Sequence, residues 1–219
     1  MTRRAASALV SALSRRWFLL VPFLFTLKLL LSVFLTPVCC DFANWIYTAS
    51  FFFNDISRGA LPQTLIGPYA GINLLLSSFF AIWTILPVSH PSLYTFIGYN
   101  YFFVPSTPAY LLLIIMKLPI LLFDLITGLV AYLIVRRTTG SSSIAAWAFL
   151  LWYLNPYNFY VISWGNGGTF DVIPAAVVLM AVLFANQRRW ASAGISLSAA
   201  TILRIFPIII FPFFMIYAL

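Results

Sequence analysis

Apolar residues in this chain come in long unbroken runs, and polar residues sit in short breaks between them. The runs cover Trp17–Val38, Ala70–Val88, Leu93–Val104, Ala109–Val135, Ile144–Ile162, Val172–Ala185, Ala191–Ile202 and Ile205–Leu219. Barrel strands alternate apolar and polar residues over about 10 positions. Continuous runs approaching the roughly 20 residues that cross a bilayer predict transmembrane helices instead. The chain reads as all-α: a polytopic transmembrane bundle of about six to seven membrane segments, one domain over 1–219. Pro87, Pro91, Pro105 and Pro108 break the region of the second and third runs, so it supplies either one crossing or three.

The break between Asp41 and Pro68 is too polar to span, with Asn44, Asn54, Asp55, Arg58 and Gln63. It is also aromatic, with Phe42, Trp45, Tyr47 and Phe51 to Phe53. Aromatic and polar residues together mark the membrane interface. The pattern predicts an amphipathic helix over Asp41–Ser57, lying on the outer membrane surface.

Composition sharpens this reading. The 219 residues are 63% hydrophobic and 7% charged, with no glutamate, so there is too little polar surface to cover a water-soluble domain. Mean hydropathy is +1.03. The net charge of +8 does not indicate nucleic acid, because eight of the twelve cations form four pairs: Arg3/Arg4, Arg15/Arg16, Arg136/Arg137 and Arg188/Arg189. Arginine pairs flanking apolar runs are topology signals that stay on the cytoplasmic side. They place the loop holding Asp171 outside, on the same face as Asp41. The first run exceeds a typical signal-peptide core and reads as a retained helix. Cys39 and Cys40 are adjacent, which builds neither a disulfide framework nor a metal site.

In so apolar a chain the four aspartates are informative, since a carboxylate in a bilayer costs several kcal/mol unless it faces a cavity or a partner. Asp41, where the first run ends, is either a general base or metal-binding carboxylate, or a helix cap. Asp55, in Asn54-Asp55-Ile56-Ser57-Arg58-Gly59, reads as a helix end. Trp164-Gly165-Asn166-Gly167-Gly168-Thr169-Phe170-Asp171 is an open loop followed by an apolar helix, suited to close approach by a ligand or phosphate. It fits no Walker or dinucleotide pattern. Lys117 and Asp124 lie seven apart on one face of a helix, both towards the bundle interior. Arg204 is a lone cation between apolar runs, either a lipid-phosphate ligand or a topology charge. His90, between prolines, reads as a loop residue.

Four stretches then resemble a known family, the multi-spanning GT-C glycosyltransferases that use polyprenyl-phosphate sugars. Within it they are most similar to the catalytic subunit of the first GPI mannosyltransferase and its prokaryotic relatives. The stretches are Cys40-Asp41-Phe42 with Tyr47 and Ala49; Lys117-Leu118-Pro119 to Phe123-Asp124-Leu125, ending at Arg136-Arg137; Leu154-Asn155-Pro156 with Gly165-Asn166 and Asp171; and Ala193-Gly194 with Arg204-Ile205-Phe206-Pro207. Two positions depart from the family. Its Asp-x-Asp keeps only the second aspartate, because Cys39 stands at the first. Asp171 also follows Asn166 by five residues instead of two.

The resemblance implies transfer of a hexose, such as mannose from dolichyl phosphate mannose, from a polyprenyl-phosphate donor to a lipid-linked or glycan acceptor hydroxyl. Asp41 would be the catalytic base, with Asn166, Asp171, Lys117 and Arg204 binding substrate. A divalent cation and a partner subunit stay open as companions. The location implied is the plasma membrane in a prokaryote and the endoplasmic reticulum in a eukaryote. Such enzymes have more helices, so the chain is expected to be the N-terminal part of a longer module. A transporter or flippase, and a non-catalytic membrane subunit, are the alternatives.

Overall fold

A computed structural model describes residues 3–34, 40–62, 69–88, 107–164 and 169–218. The regular elements in these residues are all helical. They are α1 (Arg3–Phe34), α2 (Cys40–Ser57), α3 (Ala70–Thr84), α4 (Thr107–Thr139), α5 (Ser142–Tyr153), α6 (Pro156–Trp164), α7 (Val172–Asn186), α8 (Trp190–Leu203) and α9 (Phe211–Ala218). Tight 3-10 turns at Thr169–Asp171 and Phe206–Ile210 precede α7 and α9. Among the described residues one helix, over 108–139, is long and apolar enough to cross a membrane. The expected run Leu93–Val104 lies outside the described residues.

The breaks between helices follow from particular residues. Gly140 ends α4 with φ 69°, the left-handed region that a Cβ disfavours, and its N–H donates to the Arg136 carbonyl at 2.9 Å. Ser141 then starts α5 by accepting the Ile144 N–H on its hydroxyl. This two-residue turn folds α5 back along α4. The run Ile144–Ile162, expected as one segment, is two helices. Pro156 has no N–H to give the Trp152 carbonyl, which stops α5. The Asn155 side chain accepts the Tyr157 N–H at 2.9 Å and restarts the chain as α6. A turn through Arg188, at φ 57°, reverses α7 into α8.

Helix α4 is the hub, packed against α1, α3, α5 and α7, while α8 covers α7. Helices α1 and α4 run antiparallel, as three contacts in opposite order show: Lys28 with Asp124, Ser32 with Lys117, and the Phe34 ring with Tyr110. Helices α2 and α3 run parallel, with Trp45 against Tyr69 and Phe53 against Phe80. The helix expected over Asp41–Ser57 is present as α2, and it buries Ile46, Ala49, Ser50 and Phe52. A Cβ on Gly71 would lie 2.8 Å from the Ile202 carbonyl oxygen, so this glycine lets the start of α3 meet the end of α8.

The burial pattern departs from that of a water-soluble protein. Lys28, Lys117, Asp124 and Asn73 are inside, whereas Phe23, Leu30, Leu151, Ile195, Ile202 and Phe213 are exposed. Soluble domains rarely expose so many large apolar side chains or bury so many charges.

Candidate functional site

Two polar clusters stand out, one at an end of the bundle and one in its middle. The first follows from the α7–α8 hairpin, which returns the end of α8 to the start of α7. Asp171 closes the turn before α7, Arg204 follows α8, and the two form an ion pair, with side chains 39% and 25% exposed. This is the end opposite Arg188 and Arg189. The Arg204 guanidinium also lies over the rings of Tyr69, at 5.0 Å, and Phe206, at 5.3 Å. Tyr69 meets Trp45 edge-on at 5.3 Å, and Trp45 leans on Phe170 at 4.8 Å. Trp45 is one helical turn beyond Asp41, and Phe170 precedes Asp171. An aromatic chain therefore joins the second turn of α2, at Trp45, to the Asp171–Arg204 pair. A partly exposed ion pair is weaker than a buried one because solvent screens it.

Of the residues singled out from the sequence, Asp171 and Arg204 come together directly. Asp41 lies in the first turn of α2, with its side chain outside the described ones, and Asn166 lies outside the described residues altogether. Lys117 is buried in α4, and its Nζ donates to the Ser32 carbonyl of α1 at 2.6 Å. Among the described residues no three of His, Cys, Asp and Glu gather closely enough to hold a metal ion.

The second cluster joins four helices. Lys28 Nζ of α1 donates to Asp124 Oδ2 of α4 at 2.6 Å, and both side chains are buried. Asp124 Oδ1 accepts from Trp152 Nε1 at 3.0 Å and from Asn158 Nδ2 at 2.7 Å. Lys28 Nζ also donates to the Tyr153 carbonyl at 3.2 Å and lies 4.4 Å from the centre of the Tyr153 ring. The location has a cause. An unbroken helix would bond the Tyr153 carbonyl to the Tyr157 N–H, but that N–H is turned to Asn155. The break thus exposes a carbonyl in the interior, and the ammonium takes it. An open groove of about 230 Å³ runs alongside, lined by Leu24, Leu27, Lys28, Tyr153, Pro156 and Phe159.

Sequence reasoning passed over Lys28. Its signal was a single cation inside an otherwise apolar first run, of the same kind that drew attention to Asp124. Lys117 and Asp124 do share a face, as their spacing of seven indicates, and each reaches α1.

No family model matches the chain, and no curated protein or solved structure shows significant similarity to it.

Proposed function

We propose that the chain is a multi-pass membrane protein, and that it acts as a GT-C-like glycosyltransferase at the end of the bundle that holds Asp171 and Arg204. The membrane reading is supported by the many exposed apolar side chains around buried charges and by a match of depths. Lys28 lies twelve residues after Arg16, and Asp124 lies twelve before Arg136. At 1.5 Å per residue both lie roughly 18 Å along antiparallel helices from their arginine pairs. Arginines at one membrane surface therefore set this ion pair near the middle of a hydrocarbon core about 30 Å thick.

The observation that carries the transferase reading is the aromatic link from Trp45, one turn beyond Asp41 in α2, through Tyr69 and Phe170 to Asp171 and Arg204. It gathers the segments of three of the four stretches that resemble the family. In the proposed reaction Asp41 takes the proton of the acceptor hydroxyl. The hydroxyl oxygen bonds to the anomeric carbon of a hexose such as mannose, and the bond from that carbon to the polyprenyl-phosphate oxygen breaks. Arg204 holds the departing phosphate, for which the guanidinium offers two parallel donors.

The test is sugar transfer by purified protein in lipid, from a radiolabelled polyprenyl-phosphate hexose. Asp41→Asn is expected to lower the rate by on the order of 10² to 10⁴, and Asp55→Asn to leave it nearly unchanged. Arg204→Ala is expected to weaken donor binding and Arg204→Lys to keep part of it. Equal transfer with and without the Asp41 carboxylate overturns the mechanism. Equal donor affinity across the three forms at position 204 leaves Arg204 as a structural charge. A transporter is the second reading, favoured by the charged network beside the α5–α6 break, since transporters place their sites on broken helices at mid-membrane. Substrate uptake into vesicles that is lost in Asp124→Asn, with no transfer activity in the unaltered protein, would select it.

A further inference from the structure

The far end of the bundle carries a second feature that the transferase reading does not use. The last turns of α4 and α7 and the returning α9 enclose an open cavity of about 670 Å³. It is lined by Val182, Ala185, Phe213, Phe214 and Ile216, with Thr138 and Asn186 as its polar members. That volume is within the range of about 300–1,000 Å³ typical of small-molecule sites. The flanking sequence is strongly basic. Arg136 and Arg137 immediately precede Thr138, and Arg188 and Arg189 lie two and three residues beyond Asn186. All four arginines are exposed. Arg189 lies over the Phe184 ring at 5.6 Å, one residue from the lining Ala185.

The charge at this end is unbalanced. The chain has no glutamate and four aspartates. Asp124 is taken by Lys28, Asp171 is taken by Arg204 at the opposite end, and no ion pair reaches these four arginines among the described residues. An apolar hollow whose lining residues Thr138 and Asn186 are flanked in sequence by four exposed arginines, with no ion pair to them among the described residues, is complementary to an amphiphile with an anionic head. Basic pockets between membrane helices on the cytoplasmic side bind lipid phosphates in this way.

We propose that this cavity is a binding site for an anionic phospholipid, with an acyl chain among Val182, Ala185, Phe213 and Phe214 and the phosphate on Arg136, Arg137, Arg188 and Arg189. The site rests on the membrane placement proposed above, and it is independent of the transferase chemistry.

The experiment uses the full chain in neutral detergent, titrated with phosphatidylglycerol, phosphatidylcholine or inorganic phosphate, with binding counted by native mass spectrometry. Phosphatidylglycerol is expected to bind at least about tenfold tighter than phosphatidylcholine, and inorganic phosphate is expected not to bind measurably. Replacing Arg188 and Arg189 by Gln should weaken phosphatidylglycerol by about 30-fold, at about fivefold per cation near a membrane surface. Asn186→Trp plugs the cavity mouth and keeps every arginine, so insertion is unaffected, and it should lose the selectivity. Equal affinity for the two lipids, tight phosphate binding without lipid, or full selectivity in Asn186→Trp each overturns the proposal. A protein segment seated on this face shows as a cavity that binds no lipid at all, which also overturns it. Resistance of the protein to carbonate extraction from membranes, measured in parallel, separates failure of the lipid site from failure of the membrane placement.

Discussion

Removing the Asp124 carboxylate is the most demanding test of this architecture. Asp124 is wholly buried and Lys28 is 4% exposed, so solvent replaces either partner poorly. In Asp124→Ala, Lys28 keeps the Tyr153 carbonyl and ring but loses its counter-charge, while Trp152 and Asn158 lose their common acceptor. Breaking one side of a buried ion pair costs about 3–5 kcal/mol. Replacing both charges by apolar residues is often neutral. Lys28→Met combined with Asp124→Ala should therefore be more stable than Asp124→Ala alone, by about 3 kcal/mol. Trp152 and Asn158 are equally deprived in both proteins, so the comparison isolates the charge pair. Unfolding by a denaturing detergent in mixed micelles, followed by far-ultraviolet circular dichroism, measures the difference. If Asp124→Ala costs under about 1 kcal/mol, or if the double variant is no better than the single, the interior does not exclude water and the mid-membrane placement fails with it.

Two further perturbations probe the packing. Gly71→Ala forces a methyl against the Ile202 carbonyl and should cost about 1–3 kcal/mol in the same assay, whereas Gly194→Ala meets nothing within 4 Å and should be neutral or stabilising by up to about 1 kcal/mol. Asn155→Ala removes the acceptor for the Tyr157 N–H and should cost about 0.5–2 kcal/mol; no change would mean that the α5–α6 break is held by Pro156 alone.

Most helices were legible because they are continuous apolar runs, and the polar breaks fall where Gly140, Ser141 and the Arg188 turn end them; α1 instead begins at Arg3, before the expected Trp17, with both arginine pairs inside the helix. The α5–α6 break was written in Asn155-Pro156 but hidden by the apolar residues on both sides, so Ile144–Ile162 read as one segment. The partners of the buried charges were not legible. Lys28 and Asp124 are 96 positions apart. Their meeting depends on how α1 and α4 are rotated about their axes, which no local pattern reports. The Asp171–Arg204 pair was half legible: both members were singled out for their chemistry, but their contact follows from the length match of α7 and α8, fifteen and fourteen residues. A hairpin of equal arms returns the chain to the level where it began.

In a soluble fold the apolar residues specify the core and the charges decorate the surface. Here the outside is as apolar as the inside, so hydrophobicity alone cannot say which face of a helix turns inward. That information falls to the few polar side chains. Lys28, Asp124 and Lys117 fix the rotation of α1 against α4 at two levels, and Trp152 and Asn158 fix the broken α5–α6 pair against them. An interior clamp made of buried, hydrogen-bonded charges is suited to hold a frame still. The half-exposed Asp171–Arg204 pair, with its aromatic neighbours, is suited to exchange partners. The contrast in burial is the physical reason for assigning structure to the first cluster and ligand chemistry to the second. It implies that Asp124 variants should lose activity and stability together, whereas Arg204 variants should lose donor binding at unchanged stability. If Arg204→Ala unfolds the protein as readily as Asp124→Ala does, the two clusters are both structural and the ligand site must be sought elsewhere.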